Sequence, residues 1–134
     1  MERALHIVVL DRSSVGEDVS VEPLKKYGEV TFHMTTKDEE AAERVKDADI
    51  IIVNKTPMNA DTLDGASHLK LICEFATGFD NVDLDYCRKR GIPVVNVVNY
   101  STAAVAQHTI ACVLYILEKL RYYDDYVKSG AYGS

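Results

Sequence analysis

ADIIIVNKTPMNADTLDGASHLKLICEFATGFDNVDLDYCRKRGIPVVNV (48–97) holds three apolar runs rich in β-branched residues, DIIIVN (49–54), LKLICEF (69–75) and IPVVNV (92–97). Two stretches of helix-forming composition, NADTLDGA and VDLDYCRKRG, separate them. Strands this apolar are covered on both faces, and strand–helix alternation with short connections makes them parallel. The punctuation agrees. Asp83 is placed to cap the helix before Tyr86, Gly91 follows Lys89-Arg90 where a helix-ending glycine belongs, and Pro93 falls at a strand start that tolerates its missing N–H.

Toward the N-terminus the same unit recurs. ALHIVVL (4–10) and EVTFHM (29–34) read as strands, and EPLKKYG and DEEAAERVKDA as the helices that follow them. Lys37-Asp38 opens the latter, Ala41, Ala42 and Val45 share its inner face, and Asp47-Ala48-Asp49 closes it. Five such units predict an α/β, flavodoxin-like, doubly wound five-stranded parallel sheet of order 2-1-3-4-5. The 134 residues, 47% apolar and 27% charged, suit one domain with a real core. With 15 Lys+Arg against 21 Asp+Glu the formal net charge is −6, and without basic runs that argues against nucleic acid and against anionic membrane surfaces. Cys73, Cys87 and Cys112 form no CxxC pair and read as core-like thiols of a reducing compartment. MERALHIVVL runs straight into a strand without signal-peptide architecture, so a cytoplasmic location is expected.

Toward the C-terminus the pattern changes. Ser101 to about Lys128 reads as helix, roughly 40 Å long if continuous. Its first half, AAVAQHTIACVLYIL (103–117), is apolar at twelve of fifteen positions and so is apolar almost all round. Gln107-His108-Thr109 and its length argue against a membrane span. The domain covers one side of such a helix, and a second domain or subunit is expected on the other. Tyr115, Tyr122, Tyr123, Tyr126 and Tyr132 gather in the same region, as tyrosines do at interfaces, so residues 101–128 are expected to carry self-association.

Open α/β sheets bind ligands beyond the carboxyl ends of their strands. Four segments arrive there: Asp11–Gly16, Asn54–Pro57, Ala76–Asn81 and Asn99–Thr102. In Ala76-Thr77-Gly78 small residues follow a buried strand, so backbone N–H groups can form an anion-binding nest, and Lys55 adds a positive charge from the neighbouring strand. A carboxylate is the natural anion. A solvated lysine beside an ordinary tight turn is the competing reading of the same spacing. His6, His33, His68 and His108 sit apart and read as structural, and no metal-ligand spacing occurs. Neither GxGxxG nor a P-loop is present, so the chain has no visible dinucleotide site of its own. Asp11-Arg12 and Asn54 stand where a phosphoacceptor receiver needs an acidic pair and an aspartate, and that reading fails.

The residues Ala76, Gly78, Phe79, Asp80, Asn81 and Asp83, then Gly91, Val94 and Asn96, then Tyr100, Ser101, Val105, Ala106, Gln107 and His108 follow an ordered pattern. In that order they resemble the D-isomer-specific 2-hydroxyacid dehydrogenases, especially the glycerate dehydrogenase and hydroxypyruvate reductase branch. ADIIIVNKTPMN (48–59) looks like the third-strand loop of the same family. The resemblance implies that Lys55 and the backbone amides of Thr77 and Gly78 hold the carboxylate of a small 2-hydroxy or 2-keto acid, with Asn54 and Ala76 at the same pole. It also implies that Tyr100, Ser101, Thr102 and Val105 stand near the nicotinamide edge of NAD(P). The family's cofactor fingerprint and its catalytic Arg, Glu and His lie later than this sequence extends, so no catalytic residue is expected here. A nucleotide-binding domain becomes an expected partner, and no cofactor is expected on this chain alone.

The implied division is a substrate-binding domain at 1–99, an interdomain or dimerisation helix region at 100–132, and a possible cloning scar at 133–134, the chain being an excised or truncated first segment. The family completes its substrate domain with a returning C-terminal helix, so one sheet face here is expected to be under-covered, with lower stability or compensation from 101–128. Two alternatives stay open on the residues. One is a free-standing flavodoxin-like binding or scaffold module that self-associates through its terminal helix; the other is a true flavodoxin.

Overall fold

Five short β-branched runs form the strands β1 (His6–Val9), β2 (Glu29–Phe32), β3 (Ile50–Val53), β4 (Leu71–Glu74) and β5 (Val94–Val95) of one sheet. All pairs are parallel and the order is β2-β1-β3-β4-β5, as the alternation predicts. Register is set across the centre by Ile7 opposite Val30 and Ile50, and by Ile72 opposite Ile51 and Val94. The structure is a computed structural model that describes residues 4–133. Of the Gly133-Ser134 pair read as a scar, Ser134 lies outside the described residues.

Alternation along the strands divides the core in two. Val8, Leu10, Ile51, Val53 and Ile72 pack on one face against Val45 and Ala48 of α1 (Asp38–Val45) and its end, Leu63 and Ala66 around α2 (Ala60–Leu63), and Cys87 of α3 (Leu84–Lys89). On the other face, among the described residues, Ile7, Val9 and Ile52 are the buried members, ringed by partly buried Leu24, Val30, Phe32, Cys73 and Phe75. This second cluster of the described residues therefore buries fewer apolar side chains than the first. Each fully buried Ile or Leu contributes about 1.5–3 kcal/mol, so most of the apolar stabilisation comes from the helix-covered face.

Local signals explain the helix ends. Asp83 Oδ1 accepts the Tyr86 N–H at 2.9 Å and caps α3, whose exit turns through Gly91 at φ +68°. Asn59 Oδ1 caps α2 through the Thr62 N–H. Three expectations change. The EPLKKYG crossover is a five-residue 3-10 helix, Glu22–Lys26, with Pro23 in its first turn, too short for an α-helix to develop. In α1, Ala41 and Val45 are buried one turn apart but Ala42 is exposed, since it lies about 100° round the helix from Ala41.

The third change concerns the C-terminal helix. It is two helices, α4 (Thr102–Leu117) and α5 (Leu120–Lys128), bent by 61° where Lys119 takes the left-handed conformation at φ +50°. Sixteen residues make α4 about 24 Å long, not 40 Å. No residue of α4 or α5 is buried. Among the described residues no single helix is long and apolar enough to cross a membrane. The chain divides into two compact units between Val98 and Asn99, and each is described on its own terms.

Candidate functional site

The sheet's carboxyl edge is organised by one buried side chain. Asp11, just past β1, is 6% exposed, and its Oδ2 accepts the N–H groups of Asn54 (3.0 Å), Lys55 (2.9 Å) and Thr56 (3.2 Å). The Thr56 hydroxyl donates to Asp11 Oδ1 at 3.0 Å. This turns the chain sharply after β3 and leaves Lys55 on the surface. Burial works to raise the Asp11 carboxyl, but the N–H groups of Lys55, Asn54 and Thr56 and the Thr56 hydroxyl outweigh it, and the carboxyl is held below its ordinary range.

A second clamp joins the loops after β3 and β4. Asn81 Nδ2 donates to the Thr56 carbonyl at 3.1 Å and to Glu74 Oε2 at 3.3 Å. The backbone closes the same seam, with Met58 N–H to the Asn81 carbonyl at 2.8 Å and Asp83 N–H to the Met58 carbonyl at 2.9 Å. The Ala76–Gly78 turn is tied instead toward β5. Thr77 Oγ1 donates to the Val97 carbonyl at 2.9 Å, Asn96 Nδ2 to the Thr77 carbonyl at 2.7 Å, and Val97 N–H to the Ala76 carbonyl at 3.0 Å.

Between these fixed loops lies a cleft of about 270 Å³ lined by Asn54, Lys55, Ala76, Gly78, Asp80 and Asn81. The structure thus brings together four of the five residues expected to hold a carboxylate. Thr77 belongs to the same turn, but its side chain is spent on Val97 and does not line the cleft. Among the described residues, the Thr77 and Gly78 N–H groups donate to no protein acceptor, and the Lys55 ammonium pairs with no carboxylate. A cation and free backbone donors around one concavity suit an anion.

Tyr100, Ser101, Thr102 and Val105 fall in the other unit, where Ser101 precedes α4 and its carbonyl accepts the Val105 N–H at 2.9 Å. Tyr100 and Val105 are exposed. His6 is structural as expected, its ring nitrogens reaching Thr31 Oγ1 (2.9 Å) and the Asp47 carbonyl (3.2 Å). Cys87 is buried and Cys73 half-buried, and burial pushes both thiols up. Cys112 departs from the core-like reading: it is exposed on α4, with Sγ 3.6 Å from His108 Nε2 one turn earlier. No metal-holding group occurs among the described residues.

Sequence reasoning missed four residues of this edge as site members: Asp11, Glu74, Asp80 and Asn81. A lone acid ending an otherwise apolar strand, as in LICEF, was the available signal for Glu74. It is 2% exposed and its Oε1 lacks any hydrogen-bond partner, as does the buried Asn54 Oδ1. Burial pushes the Glu74 carboxyl up to about 7; the Asn81 bond opposes this, the Asp11 charge adds to it and the Lys55 charge opposes it.

Compared with known proteins, residues 7–131 match the family described as D-isomer specific 2-hydroxyacid dehydrogenase, catalytic domain. The chain belongs to the D-isomer-specific 2-hydroxyacid dehydrogenase family. Similar relatives include a hydroxypyruvate reductase of Blautia hydrogenotrophica, 34% identical over 97% of the chain and 42% of the relative. A glycerate dehydrogenase of Methylorubrum extorquens is 36% identical over 92% of the chain and 39% of the relative. Among solved structures, the D-lactate dehydrogenase of Aquifex aeolicus, complexed with NAD and lactic acid, superposes with a TM-score of 0.75 at 32% identity, over 92% of this chain and 37% of that one.

The chain spans about two fifths of the length of the dehydrogenases it matches. Solved structures similar to this chain hold NAD or NADPH. The turns that follow the strands carry Gly16 after β1 and Gly78 after β4, and no close pair of glycines. At Gly78 an added Cβ would meet only Asp80 Oδ2, at 3.8 Å, so nothing there demands the close backbone approach of a pyrophosphate cradle. The described residues do not fit a dinucleotide by themselves.

Proposed function

We propose that this chain is the carboxylate-holding part of a NAD(P)-dependent D-2-hydroxyacid dehydrogenase and binds a small 2-hydroxy or 2-keto acid in the cleft beside Lys55. The observation that carries the reading is the meeting of Lys55 with Ala76 and Gly78 around one concavity, in a turn whose Thr77 and Gly78 N–H groups have no acceptor among the described residues. Lys55 supplies charge and the two N–H groups supply direction, while Asn81, its amide hydrogens held by Thr56 and Glu74, fixes the loops on either side. Asp11 holds the loop that carries Lys55, so the donors are in place before the acid arrives, which is where positioning contributes to rate. NAD(P), when bound in the whole enzyme, supplies or takes the hydride. Tyr100, Ser101, Thr102 and Val105 are assigned to its nicotinamide edge by family pattern, and proton transfer falls to residues outside this sequence, which leaves the chain inactive alone.

Calorimetric titration tests this reading with oxalate, which carries two carboxylates, and its neutral amide analogue oxamide. Oxalate is expected to bind with millimolar or better affinity and oxamide not to bind. Equal binding of both, or of neither, contradicts the carboxylate cleft.

The second unit supports a further part of the reading, contact with another copy of the chain. Ile110, Ile116, Leu117 and Tyr122 are each at least 60% exposed, more apolar surface than a lone helix pair normally leaves in water. Sedimentation velocity at tens of micromolar is expected to give a dimer that Ile116→Glu dissociates; a monomer throughout contradicts it.

A further inference from the structure

At the end of β4 a carboxyl occupies a position that the strand's burial would give to an apolar side chain. Glu74 shares the covered face with Ile72, and its two oxygens are served by a single bond, from Asn81 to Oε2. An ionised carboxylate in such surroundings is costly, and a neutral acid much less so. The charged groups around it are few. Asp11 at the end of β1 stays ionised on its three N–H donors, and Lys55 after β3 is the nearby cation. From the loop after β4, Asp80 lines the outer cleft, while Asp83 is turned to α3 with its Oδ1 on the Tyr86 N–H. The Asn81 amide that holds Glu74 also holds the Thr56 carbonyl, so Glu74 is joined by one side chain to the loop that presents Lys55.

We propose that Glu74 is a positioning residue that serves the cleft as a neutral acid: protonated, it leaves the field of Lys55 to the bound carboxylate, and on giving its proton to solvent it adds a second anion beside Asp11 and weakens carboxylate binding. This rests on the carboxylate reading of the cleft. The carboxyl is poised at about 7, so the change falls within the neutral range. Because the folded chain holds this proton more tightly than an unfolded chain would, Glu74 also makes stability fall as pH rises from about 4.5 toward 7 and level off above.

The test measures oxalate affinity of the wild-type and Glu74→Gln chains from about pH 5.5 to 8.5. In parallel, carbon-13 NMR follows the Glu74 carboxyl of the wild-type chain with and without oxalate, which keeps the proposal testable if the variant folds poorly. Wild-type affinity is expected to fall about tenfold across the range, while Glu74→Gln keeps the low-pH affinity throughout. By reciprocity, oxalate raises the pH at which Glu74 titrates. Oxalate binding that is flat with pH, a Gln variant that repeats the wild-type fall, or a Glu74 titration unmoved by oxalate overturns the proposal alone. Absence of oxalate binding at every pH overturns the carboxylate reading and this proposal together.

Discussion

Asp11→Ala is expected to lower the free energy of unfolding by about 3–5 kcal/mol, a large fraction of a small domain's stability. The size follows from what is left behind. Three backbone N–H groups and the buried Thr56 hydroxyl lose their acceptor together, in a place where the surrounding chain shuts out water. Asp11→Asn keeps the shape and one acceptor oxygen, and is expected to cost about half as much. The carboxyl's folded pKa lies below its ordinary 3.8, so its stabilisation is fully present above about pH 4 and is lost as pH falls through the folded value. Urea titrations at neutral pH and near pH 3 check both parts. An alanine variant within 1 kcal/mol of wild type would show that the 54–56 turn does not depend on this carboxylate.

Lys55→Met is expected to show the opposite separation, with stability unchanged and binding lost. The side chain is exposed and pairs with no acid among the described residues, so its removal leaves no buried group unsatisfied. A charge-assisted hydrogen bond to a carboxylate contributes about 2–3 kcal/mol, which corresponds to a loss of roughly 30- to 150-fold in oxalate affinity. Lys55→Arg keeps the charge on a longer, planar group and is expected to recover part of it. Calorimetry and thermal melts on the same samples read the two effects. Oxalate affinity equal to wild type in Lys55→Met would remove the lysine from the site.

The sheet was legible because each strand is a β-branched run closed by a turn signal, and only one hand of crossover joins parallel neighbours. The cap at Asp83 and the exit through Gly91 were legible for the same local reason. The break at Lys119 was not, since lysine is a good helix former and nothing from Leu117 to Leu120 marks a stop. At the site, the pattern of Lys55 with Ala76–Gly78 pointed to the cleft that the fold assembles. The supporting residues were hidden because their partners are far away in sequence. Asp11 acts on residues 43 to 45 positions away, and Glu74 reads as one polar interruption of a strand until Asn81 is folded beneath the same cleft.

The most direct measurement is a nitrogen-15 amide NMR titration of the 134-residue chain with oxalate. Saturable shifts centred on Lys55 and Ala76–Phe79, with β2 and α5 unmoved, are the result this account predicts. No shift at millimolar oxalate, or shifts confined to residues outside the cleft, would contradict it.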